Sequence, residues 1–92
     1  MRRLLVVEKA FDIRGRGLVL TPALAVLEGS TSTWTRARVE LRRPDGSVGR
    51  ADATLGLERL DSGAFEMVCI LPGTPGDEVP PGTEVWLVPS SA

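Results

Sequence analysis

The segment from Arg36 to Glu58 constrains this chain more than any other. Between Arg36 and Arg43, Ala37, Val39 and Leu41 alternate with Arg36, Arg38, Glu40 and Arg42. Side chains of an extended strand project to opposite faces with a period of two, so this run is a strand with one face buried and one in water. Pro44-Asp45-Gly46-Ser47 follows. Proline presets φ, aspartate accepts a bond from the backbone ahead, and glycine takes the left-handed conformation of a hairpin turn. The return run keeps the period, with Ala51, Ala53, Leu55 and Leu57 inward and Arg50, Asp52, Thr54 and Glu58 outward. An antiparallel hairpin is the expected result.

Four further runs have strand character and are bounded by glycine, proline and aspartate. They are Leu4 to Ile13, Leu18 to Thr21, Ala64 to Leu71 and Thr83 to Val88, and ten glycines and seven prolines punctuate the chain. A Pro/Gly-rich loop from Pro72 to Gly82 separates the last two. Thr21-Pro22, the apolar run to Leu27 and then Gly29 gather helix signals, a capping hydroxyl, a first-turn proline and a closing glycine; a short helical turn and extended chain both fit residues 22–29. With no amphipathic helix between the strands, and with so few strands to protect their own edges, the expected fold is all-β: a small closed antiparallel β-barrel of about six strands. At 92 residues the chain is read as a single domain, 1–92.

Composition excludes several chemistries. The net charge is −1 with 25% charged residues, so any basic site is local rather than a property of the whole molecule. Cys69 is the single cysteine and histidine is absent, which leaves no intramolecular disulfide and no thiolate-imidazole zinc site. No metal or other cofactor is expected. The apolar run Leu4 to Val7 is too short for an export signal, and no run approaches the ~20 apolar residues of a membrane span. A cytoplasmic protein with no membrane association is the expectation.

The opening stretch, Glu8-x-x-Phe11-x-Ile13-x-Gly15-Arg16-Gly17-x-Val19-x-Thr21, resembles the start of domain 2 of elongation factor Tu and related translation factors. Val39-Glu40-Leu41, Gly56-Leu57-Glu58 and the tail from Leu71-Pro72-Gly73 through Asp77 to Val85 are similar to later landmarks of that domain. The resemblance implies a six-stranded barrel of the translation-factor domain 2 type, with Gly15, Arg16 and Gly17 forming a structural turn. In that family the domain holds the 3′ end of aminoacyl-tRNA, and Glu58 matches the glutamate of the family's Gly-x-Glu motif. Pro22 stands where the family has a glycine beside that pocket, adding bulk and removing an N–H donor. No phosphate-cradling Gly-x-x-x-x-Gly-Lys loop is present and there is no asparagine for a guanine-reading motif, so GTP binding is not expected.

Candidate sites lie on the outer surface. Arg36, Arg38, Arg42 and Arg50 share the outward face of the hairpin, where arginine suits phosphate contact, although Glu40 and Asp52 interrupt the patch. Trp34 is either a stacking platform for a base or partner, or a cap on one end of the barrel. Glu58 is either a ligand contact or a solvated, hairpin-pairing carboxylate. If Phe65 and Val85 point inward, then Val68, Ile70, Trp86 and Val88 form an apolar patch on the outer wall, and such a patch marks an interface. Cys69 falls on the core face as a small buried hydrophobe, and no carboxylate pair is placed for acid–base catalysis. The expected function is a non-catalytic binding module acting through a protein partner or self-association. The alternative is a module of translation that binds tRNA or ribosomal RNA.

Overall fold

A computed structural model of the chain describes residues 2–24, 35–59 and 61–89. Among these, seven strands form one antiparallel sheet: β1 (Arg2–Val6), β2 (Lys9–Ile13), β3 (Gly17–Leu24), β4 (Thr35–Arg42), β5 (Val48–Arg59), β6 (Phe65–Leu71) and β7 (Glu84–Leu87). Their order across the sheet is β1-β7-β4-β5-β6-β3-β2. The sheet curls into a half-barrel around one core.

The period-two reading of the sequence accounts for that core. Leu5 and Val7, Leu18 and Leu20, Val39 and Leu41, and Met67, Cys69 and Leu71 are alternate residues of their runs and are all buried together with Ala53, Val79 and Val85. Ala10, Ala51, Leu55 and Leu57 pack against them half-buried. Truncating a fully buried leucine such as Leu41 therefore removes roughly 2–5 kcal/mol.

The β4–β5 hairpin forms as its turn residues direct. Arg43 N–H donates to Ser47 O at 2.9 Å and Gly46 N–H to Arg43 O at 3.0 Å, with Gly46 at φ +90°. This is the three-residue loop whose last member must be left-handed. The Ser47 hydroxyl and then its amide donate to Asp45 Oδ1, at 2.6 and 2.9 Å, and hold that carboxyl below its usual pKa.

Two expectations are corrected. The stretch Leu4 to Ile13 is two strands rather than one, because the chain changes partners at Val7-Glu8. Val7 N–H donates to Thr83 O and Glu8 N–H to Thr21 O, both at 2.8 Å, so β1 joins β7 while β2 joins β3. The sheet is also not a closed barrel: its ladder ends at β1 and β2, which are consecutive pieces of the same run and do not pair with each other. The 72–83 segment instead buries Val79 and Thr83 while most of its other residues stay exposed. A single 3₁₀ turn at Gly76–Glu78 leads to Val79, which is fully buried in the core, and Gly82 N–H returns to Val7 O at 2.8 Å. Arg43 Nε reaches across from the hairpin to Glu78 O at 2.7 Å and pins this loop. Of residues 22–29, Pro22-Ala23-Leu24 continue β3 as extended chain after a cis Thr21-Pro22 peptide; the others lie outside the described residues.

Candidate binding surface on the outer face

Register across the sheet sorts the outward residues into rows. One row runs Arg3, Trp86, Glu40, Arg50 over β1, β7, β4 and β5. Arg42 Nε donates to Glu40 Oε2 at 2.6 Å, and Arg50 Nη2 lies 3.9 Å from Glu40 Oε1. The Arg42 guanidinium also sits over the Trp86 ring, 4.2 Å from its centroid, while Trp86 Nε1 donates to Glu84 Oε1 at 2.8 Å. Glu40 is buried although it lies on the outer face, because two arginines close over it. These charges satisfy one another within the sheet.

The neighbouring region is different. Arg38 faces Asp52 across the β4–β5 pair, with Nη1 3.2 Å from Oδ1, and both are exposed. Arg36 faces Thr54, is exposed, and has no ion pair among the described residues. Here the surface opens into a trough of about 600 Å³ lined by Arg36, Ala37, Arg38, Asp52, Ala53, Thr54, Pro72 and Val88. Val88 N–H donates to Arg38 O at 2.9 Å, which fixes that residue at the trough's rim. A smaller depression, lined by Gly15, Arg16, Thr54 and Ile70, adjoins it at Thr54.

The four arginines named from the sequence thus divide into two pairs, Arg42 with Arg50 around Glu40, and Arg36 with Arg38 at the trough. The apolar quartet is not brought together. Val68 and Ile70 are on β6, Trp86 and Val88 are on β7 or just after it, and β4 and β5 lie between them. Three strand spacings amount to roughly 14 Å. Val68 and Ile70 are moreover only 5% exposed each, so no open apolar wall of these four exists. Glu58 stands in β5 opposite Glu66, and its side chain lies outside what is described. Trp34 lies outside the described residues.

Gly15, Arg16 and Gly17 close the β2–β3 hairpin. Arg16 N–H donates to Ile13 O at 2.9 Å with Gly15 at φ +84° in the third position, where a reversal of this kind takes glycine. Gly17 is needed for a second reason. It has φ +113°, and a Cβ there would lie 2.9 Å from Pro72 Cα and 3.1 Å from Leu71 O. Cys69 is buried, and desolvation pushes its thiol up to about 12, away from any nucleophilic role near neutral pH.

The apolar surface that the sequence did not single out is on β2. Ala10 packs on the core, which turns Phe11 and Ile13 outward, and they are 50% and 41% exposed. Phe11 pairs with Val19, and Val19 with Ile70, so an apolar row extends inward from the end of the sheet. Alternation along Lys9 to Ile13 does not reveal this, since which face meets water depends on the strand's partners.

No protein-family model, curated protein or solved structure matches the chain.

Proposed function

We propose that this chain is a non-catalytic binding module acting through protein contact, made by the outer face of β2 with a second copy of the chain. The observation that carries the reading is the pair of exposed apolar side chains Phe11 and Ile13 on a terminal strand. Phe11 and Ile13 keep apolar surface in water beside the charged Lys9 and Asp12 of the same strand, and apolar surface exposed in this way on a terminal strand is a contact for another chain. The likeness of residues 8–21 to translation-factor domain 2 supports the finer fold reading, in which this half-barrel is of that domain's type. Light scattering over a range of concentrations tests the contact. The mass should rise toward a dimer, and Phe11→Ser should keep the protein monomeric; a strict monomer unchanged by that substitution overturns self-association.

RNA contact is the second reading, and Arg36, exposed and without an ion pair among the described residues, is the observation that favours it. Arg38, Arg42 and Arg50 favour it less, because each already has a carboxylate beside it, Asp52 for Arg38 and a shared Glu40 for Arg42 and Arg50. Binding to tRNA or ribosomal RNA fragments at about 50 mM salt, weakening steeply as salt rises, is its expected signature.

A further inference from the structure

We infer that the trough between β4 and β5 is a second binding site, which takes an extended acidic segment of a partner protein. The inference rests on the non-catalytic binding reading but not on the Phe11–Ile13 face. Its lining combines two exposed guanidiniums, Arg36 and Arg38, with Asp52, Thr54 and the apolar surfaces of Pro72 and Val88. The Thr54 hydroxyl, directly opposite Arg36, makes no hydrogen bond among the described residues. Arg36 and Thr54 therefore offer a carboxylate two sets of donors from adjacent strands, and a guanidinium donates to a carboxylate in a two-pronged geometry. The trough lies between the outward pairs Arg36–Thr54 and Arg38–Asp52, above the backbone of Ala37 and Ala53, which pair with each other and turn their side chains toward the core. A volume of about 600 Å³ is in the range of ligand clefts.

Charge decides the kind of partner. Asp52 lies within the lining and holds Arg38, so the trough offers two positive charges against one negative. A nucleic-acid strand brings a charge with every nucleotide and gains affinity from many phosphate contacts at once. A peptide with one carboxylate flanked by apolar side chains matches both the single excess charge and the apolar rim.

The test is a titration of the intact chain, followed by residue-resolved amide NMR. The probes are an acetylated, amidated pentapeptide with one central glutamate flanked by leucines and serines, its glutamine counterpart, and a short oligouridylate. The acidic peptide should shift the amides of Arg36, Arg38, Thr54 and Val88. Both the glutamine peptide and the Arg36→Gln variant should weaken binding about tenfold, the usual scale for losing a charged hydrogen bond. Asp52→Asn should tighten binding, because it removes the one opposing charge. Unchanged thermal midpoints show that the variants are folded. The inference is overturned if the acidic peptide moves none of these amides, if the glutamine peptide binds equally, or if the oligouridylate binds there more tightly. The Phe11→Ser variant should bind the acidic peptide as the parent does, so failure at the trough and failure at the β2 face are separate results.

Discussion

Cys69 is surrounded by Leu20, across in β3, and Leu55, across in β5, and water does not reach it. Burial raises its thiol from 9.0 to about 12. Above pH 9 the unfolded chain releases a proton that the folded chain keeps, so the contribution is complete below about 9 and is lost as pH climbs toward about 12. Between about pH 8 and pH 10.5 the cost should reach about 2 kcal/mol. Urea midpoints of the parent and Cys69→Ala measure it, and a decline as steep in the alanine variant would assign the effect to other groups. The residue's place on the core face was legible from its alternation with Met67 and Leu71. The extent of its desolvation was not, since that depends on β3 and β5 lying on either side of β6.

At the scale of elements, the two hairpins carry their instructions locally. Pro44-Asp45-Gly46-Ser47 and Arg14-Gly15-Arg16 each fold back through bonds between residues within four positions of one another. Gly17 differs because its constraint comes from the start of the 72–83 loop. Gly15 has open space where a Cβ would stand, so Gly15→Ala should cost about 1 kcal/mol through its left-handed backbone alone. Gly17→Ala adds a backbone collision to the same strain and should cost roughly 2–4 kcal/mol. Chemical denaturation of the two variants separates the effects; equal losses would mean that the approach to Pro72 relaxes freely. The turn was readable from the pattern of glycines, whereas the need for a bare Cα at position 17 was not.

Over the whole molecule, the sheet is sturdiest where strands have two partners. β4 lies between β7 and β5 and holds the fully buried Val39 and Leu41, while β2, among the described residues, pairs on one side only and faces water with Phe11 and Ile13. In the dilute, monomeric protein, amide hydrogen exchange should therefore be slowest at Val39 to Leu41 and much faster along Lys9 to Ile13. Equal protection of the two strands at higher concentration would mean that β2 has a partner on its other side, as a dimer joined along β2 would provide, and dilution would then remove it. The sequence by itself determined the all-β class, the β4–β5 hairpin with its turn, and the inward residues of that hairpin, because turn chemistry and period two act over a few neighbouring positions. Only the tertiary structure decided the order of the strands. That order broke the first run into β1 and β2, placed two strands between Ile70 and Trp86, and closed Arg42 and Arg50 over Glu40 while leaving Arg36 open. Outer-face residues meet through partners distant in the chain, and alternation along one strand carries no record of which strand lies beside it.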